Sequence, residues 1–387
     1  MPPLSPAPRV PRASSRRAAL SHAATLGLAA AAPLAGTLPA HAQARPAPDN
    51  DISVAPDGQY ERAALRKDVI RVTAVQSPLY PADPANPRAR MDSNLQTMLD
   101  LLDAANGFAG AQDLVCFHEQ PIMGWAPWPR EDALKVCIEV PGKETEALGK
   151  KAKQYGCYIA FGSYVRDTDW PGHLLLNGIL IGPDGRVVAQ HWKQHNVRLR
   201  PDWTMYTTTA FDVLPRYIEM YGADAVLPVA RTDIGNLSLL TSPYDPDIHR
   251  AVSVKGMEIA VRFSSGGFNP VDSASSSLFN RNWTITVNQA ISPGGPGPDF
   301  SGAGGTSIYG PGGREVAMAR SANEELIPAT IPIAEFRRAH RLPDIPMALV
   351  MPVYQKYRPM YDPGLQLDYL PTDSTDAAKF FMAKRNW

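Results

Sequence analysis

Apolar positions along this chain follow two alternating rhythms. Val69 to Val75 is a short apolar run of strand length, and Met91 to Ala105 puts Leu95, Met98, Leu99 and Leu102 on one helical face. Asp113 to Phe117 predicts a second strand, ending at Glu119, and Glu144 to Tyr155 a helix entered from the Pro141-Gly142 turn. Cys157 to Val165, Leu176 to Ile181 and Val187 to His191 read as strands, the last two joined by Gly182-Pro183-Asp184-Gly185. Leu237 to Thr241 is a strand, Asp247 to Lys255 a helix closed by Gly256, and Ile259 to Phe263 the next strand. Trp283 to Asn288, Thr306 to Tyr309, Glu315 to Ala319 and Leu326 to Ile331 complete the expected β content, and Ile333 to Arg341 is a helix. The Pro- and Tyr-rich tail to Trp387 shows no periodicity. Strand and helix alternate, with a hairpin-like pair in each half, which predicts α/β layers over one or two mixed sheets.

The first residues have a different character. Ser15-Arg16-Arg17-Ala18-Ala19-Leu20, an Ala-rich stretch to Ala40 and the small-x-small site Ala40-His41-Ala42 predict a twin-arginine-type export signal over 1–42, followed by a polar, Pro-rich linker over 43–68. Such a leader implies a periplasmic or secreted protein of a bacterium that folds before export. Ser21, His22 and Pro33 interrupt the stretch too often for a membrane span, so no membrane association is expected after cleavage.

Composition narrows the function. The 387 residues are 44% hydrophobic, ample for one large domain or two smaller ones. The formal charge is zero; with four arginines and no acid in 1–42, the remainder has 34 basic against 38 acidic side chains, net −4. Neither value draws the chain to nucleic acid or an anionic surface. Three cysteines, Cys116, Cys137 and Cys157, are an odd number and no disulfide framework; Cys116 and Cys157, in strand-like runs, read as buried free thiols, with one bridged pair the alternative. His191, His195 and His249 form no HExxH motif, so no metal is expected, and no cofactor motif stands out. Trp125, Trp128 and Trp203 are core or pocket-wall aromatics.

Several segments, taken in order, resemble one family. Val72-Thr73-Ala74-Val75-Gln76, Leu114 to Glu119, His191-Trp192-Lys193-Gln194-His195, Gly235 to Leu240, Pro246 to Arg262, and Gly305 to Ile308 with Gly310 to Gly313 together resemble the carbon–nitrogen hydrolase (nitrilase) superfamily, nearest its aliphatic amidase branch. The resemblance implies a four-layer α-β-β-α sandwich of nitrilase type over 69–340, a C-terminal extension over 341–387, and a homodimer or higher homo-oligomer paired through helices. It also implies a small amide or nitrile substrate, with Glu119 as general base and Lys193 as the cation that holds the oxyanion. A second family glutamate falls near Pro201 and Asp202.

The family's nucleophile is a cysteine, and here the sequence departs. Matching Ser238-Leu239-Leu240-Thr241 to the entering strand puts Ser242 at the nucleophile position, with Thr241 the alternative one residue earlier. An alcohol ionises roughly seven pH units above a thiol, at most about 10 kcal/mol if full ionisation were required. Pro243 follows, with no N–H for the oxyanion, and such a donor is typically worth about 2.7–4 kcal/mol. The chain therefore reads as an exported carbon–nitrogen hydrolase using Ser242. The alternative is an inactive family member that binds a small ligand or a partner protein.

Overall fold

The computed structural model describes residues 51–54, 57–196, 198, 202–241, 244–266, 269–292 and 302–387. The export-type segment at 1–42 lies outside the described residues. Strands β1 (Ile70–Gln76), β2 (Leu114–Cys116), β3 (Tyr158–Val165), β4 (Leu175–Ile181), β5 (Val187–Trp192) and β12 (Glu325–Ile331) form one six-stranded sheet in the order β12-β1-β2-β3-β4-β5. Strands β6 (Ala230–Thr232), β7 (Gly235–Leu240), β8 (Ile259–Phe263), β9 (Trp283–Val287), β10 (Ser307–Tyr309) and β11 (Glu315–Met318) form the other, in the order β11-β10-β9-β8-β7-β6. Each has a parallel centre, β1-β2-β3 and β7-β8-β9, flanked by antiparallel strands.

Side-chain alternation explains the layering. Ile70, Val72, Ala74, Leu114, Cys116, Ala160 and Leu180 of the first sheet meet Leu237, Leu239, Ile259, Val261, Phe263, Ile285 and Val287 of the second in one core. The opposite face of the first sheet, with Val75, Val115, Ile159, Phe161 and Ile179, is covered by helices α1 (Pro87–Phe108) and α3 (Lys143–Tyr155), through residues such as Met91, Met98, Leu102, Leu148 and Ala152. On the far side of the second sheet, Leu240 and Ala260 pack with Val252 of α5 (Pro246–Val254) and Met257. Central strands covered on both faces read as continuous apolar runs, and β3, β4, β7, β8 and β9 are buried throughout. The result is an α-β-β-α sandwich.

Helix α6 (Pro270–Asn280) covers the second sheet with hydroxyls rather than hydrocarbon. Its buried residues are Ser273, Ser276, Ser277 and Asn280. Ser277 Oγ donates to Thr284 Oγ1 at 2.7 Å, Ser273 Oγ lies 2.8 Å from Thr286 Oγ1, and Arg262 pairs with Asp272. Its apolar Val271, Leu278 and Phe279 point to solvent. The tail, expected to be irregular, holds α8 (Met347–Tyr354), with no buried residue, and α9 (Ser374–Ala383). The Asp373 carboxylate caps α9 by accepting from the Thr375 and Asp376 N–H groups, and Ala377, Ala378 and Phe381 pack into the body of the chain.

Two contacts link the sheets directly, and a buried ion pair ties the second sheet to the helix that follows β12. A Cβ on Gly178 of β4 would lie 2.7 Å from Leu239 Cβ and 2.8 Å from a Phe263 ring carbon, so the sheets touch where no side chain intervenes. His191 of β5 accepts the Leu239 N–H of β7 at Nδ1, 3.1 Å away. Burial, reinforced by the Lys255 charge, lowers the His191 pKa to about 3. Glu258, with no exposed surface, receives Arg337 of α7 (Ile333–Ala339) through Nε at 2.8 Å and Nη2 at 2.9 Å, and also Tyr60 Oη at 3.0 Å and the Asn236 N–H at 2.8 Å.

Two outcomes follow from these contacts. Glu258→Ala strands the Arg337 guanidinium in a buried site and should lower stability by about 3–5 kcal/mol, read as a drop in urea midpoint at unchanged slope. For His191, the unfolded ring takes up a proton below about pH 6.5, whereas the folded ring does so only near pH 3. Its contribution is complete above pH 6.5 and declines as pH falls, by about 2 kcal/mol at pH 5. Urea unfolding from pH 7 to 4 should show that decline, and His191→Gln should flatten it by up to one proton.

Candidate active site

The carboxyl ends of β2 and β8, one central strand from each sheet, meet at one place, the usual side for ligands in parallel α/β sheets. After β2, Phe117 N–H donates to Ala160 at 2.8 Å and His118 accepts the Gly162 N–H at 3.0 Å, so the chain still runs beside β3. Glu119 then turns across the gap, its N–H donating to the Ser264 carbonyl just beyond β8, at 3.2 Å. This crossing needs glycine at 162, where a Cβ would lie 2.6 Å from the Glu119 carbonyl oxygen and 2.7 Å from its Cα. Lys193 leaves β5 with its N–H on Leu176 at 2.8 Å and its carbonyl accepting from Ala210 at 2.9 Å.

These backbone constraints bring three side chains together. Lys193 Nζ lies 3.5 Å from Glu119 Oε1, with both side chains less than one-tenth exposed. Ser265 Oγ donates to the other oxygen, Oε2, at 2.6 Å. Val261 and Phe263 face the opposite sheet, and the alternation carries Ser265 to the same side. Tyr164 stands nearby; burial first, then Tyr206 and Glu119, push its phenol well above the ordinary range, so it is a neutral wall. Burial lowers the adjacent His118 to about pKa 3, so it carries no charge at neutral pH. A carboxylate held by an ammonium on one oxygen and a hydroxyl on the other can accept a proton from that hydroxyl, and the ammonium can receive negative charge developing beside it.

Glu119 and Lys193, expected from the sequence, are thus neighbours. Ser242, with Pro243, lies outside the described residues. Thr241 is 2% exposed, and its hydroxyl has no hydrogen-bond partner among the described residues. Asp202 is exposed at the surface. His195 lies 3.5 Å from Asp245 Oδ2, and His249 Nδ1 2.8 Å from Ser276 Oγ. Among the described residues no group of three or more His, Cys, Asp or Glu could hold a metal ion. Trp128 is in the core, while Trp125 and Trp203 are half-buried. All three cysteines are free and buried; burial pushes Cys137 up to about 12, Cys157 up to about 11, and Cys116 higher still. None is poised as a thiolate.

Sequence reasoning missed Ser265. Its signal was the small-residue break Ser264-Ser265-Gly266-Gly267 between a strand and a helix that opens at Pro270. The backbone crossing at Glu119 has its own test. Gly162→Ala should cost about 1–3 kcal/mol by overpacking, measured by urea unfolding, because backbone rather than a flexible side chain must give way.

The carbon-nitrogen hydrolase family model matches residues 71–341, most of the chain. A formamidase of Helicobacter acinonychis (strain Sheeba) is 24% identical over 229 residues, which span 57% of this chain and 62% of that protein. Among solved structures, an amidase from Nesterenkonia sp. is similar with TM-score 0.53 and 16% identity, covering 75% of this chain and 99% of that one. The Caenorhabditis elegans NitFhit protein gives TM-score 0.56 and 15% identity, covering 76% and 66% respectively. Saccharomyces cerevisiae Nit3, a member of the nitrilase superfamily, gives 0.54 and 17%, covering 72% and 97%. By this match over residues 71–341, with the same layered fold in the solved structures, the chain belongs to the carbon–nitrogen hydrolase family.

Proposed function

We propose that this protein hydrolyses the carbon–nitrogen bond of a small amide or nitrile, with Glu119 as general base, Lys193 as the oxyanion's cation, and a hydroxyl in place of the family's thiol. The observation that carries the reading is the buried contact of Lys193 with one Glu119 oxygen while a hydroxyl occupies the other. On resemblance alone the attacking hydroxyl would be that of Ser242, with Thr241 the alternative. The formamidase relative supports an amide of very few atoms. The leader-like segment at 1–42 supports action in the periplasm or outside the cell. Exposed apolar residues on α6 and α8, among them Val271, Phe279, Leu349 and Val353, support pairing with a second copy, and a cavity of about 860 Å³ opens between these helices.

A second reading, ligand binding without turnover, is favoured by one feature: Pro243 has no N–H to offer an oxyanion. Ammonia release from formamide, acetamide and acetonitrile separates the two. Glu119→Gln should lower kcat by about 10²–10⁴-fold, and Lys193→Met by about 10²–10³-fold. No ammonia from the unaltered protein, together with an amide-dependent rise in Tm, would establish the second reading instead.

A further inference from the structure

We propose that Ser265, at the end of β8, is the nucleophile that attacks the substrate and carries its acyl group. This inference rests on the hydrolase reading above and names the atom that does its first step. A nucleophilic hydroxyl must touch its base, be reachable by substrate, and stand beside donors for the developing oxyanion. Ser265 meets each requirement with residues already in place. Its Oγ is 2.6 Å from Glu119 Oε2, within the range expected of a nucleophile–base pair. It is half-buried rather than sealed, whereas Thr241, the alternative hydroxyl at the end of β7, is 2% exposed. Lys193 approaches the same carboxylate from its other oxygen.

The backbone around Ser265 fits the role. Gly266 follows it and keeps the N–H that proline at 243 denies to the neighbouring strand end. A side chain built on Gly266 would meet nothing within 4 Å among the described residues. Ser264 Oγ donates to the Gly266 carbonyl at 2.9 Å and Ser264 O accepts the Glu119 N–H, so Ser265 is pinned on one side to its own turn and on the other to its base. The strand, the small-residue turn and the helix opening at Pro270 repeat the strand–turn–helix context in which a nucleophile is held at a strand end.

The step balances without a co-reactant beyond water. Ser265 Oγ bonds to the amide carbon while its proton passes to Glu119 Oε2, and the carbonyl π pair moves to oxygen, facing Lys193. Collapse breaks the C–N bond, and Glu119 gives its proton to the leaving nitrogen, which departs as ammonia. Water then attacks the ester as Glu119 takes its proton, and breakage of the ester C–O bond returns a proton to Ser265 and releases the acid.

The three buried thiols leave a clean background for the test. The full chain, Ser265→Ala and Ser265→Cys are assayed for ammonia from formamide and acetamide, and acid-quenched turnover mixtures are mapped by peptide mass for a formyl or acetyl adduct. Ser265→Ala should lose at least about a thousandfold in kcat with little change in KM. Ser265→Cys should keep measurable turnover and become sensitive to iodoacetamide, to which the unaltered protein is indifferent. The adduct should lie on the peptide containing Ser265. An adduct at Ser242 or Thr241, or a Ser265→Ala protein within tenfold of the original, overturns this assignment while leaving the hydrolase reading standing. Absence of ammonia from the unaltered protein overturns both.

Discussion

One backbone hydrogen bond sets the candidate site, from the Glu119 N–H of one sheet to the Ser264 carbonyl of the other. Most contact between the sheets is apolar and non-directional, which holds them together without fixing one strand end against another. The Glu119–Ser264 bond supplies direction. It sets the end of β2 against the end of β8, and so presents a carboxylate from one sheet to a hydroxyl from the other. Gly162 allows the approach by having no side chain, as Gly178 does deeper in the same interface. The site is therefore a property of the two sheets together.

The buried Lys193–Glu119 contact is a poor source of stability. Two charges taken out of water at 3.5 Å gain little net free energy over an apolar pair of the same size. Their position at strand ends, beside a wall of neutral Tyr164 and neutral His118, instead suits a site that must tolerate changing charge. The stability of this region comes from elsewhere, in the covered faces of β3, β4, β7 and β8 and in fully engaged pairs such as Glu258 with Arg337.

The fold was legible where apolar residues carried the packing. Strands β1 to β5 and β7 to β12, and helices α1, α3, α5 and α7, were readable from apolar residues at strand or helix spacing and from the Gly and Pro that punctuate them. Helix α6 was not, because its inward face is Ser273, Ser276, Ser277 and Asn280, and its apolar residues point outward. Helix α9 escaped because three inward residues suffice once Asp373 caps it. Glu119 and Lys193 were legible through local sequence context on β2 and β5. Ser265 was not, since a serine in a small-residue turn signals only a strand end, and its partnership with Glu119 spans 146 positions of sequence.

The three cysteines carry a consequence of their own. Oxidants and electrophiles attack sulfur as thiolate at an accessible surface. Cys116, Cys137 and Cys157 are buried, and their raised pKa values keep them protonated at neutral pH. Peroxide that would climb the sulfenic ladder on an exposed thiolate finds none of these three sulfurs within reach. While the chain stays folded, all three are withheld from alkylation and disulfide exchange alike.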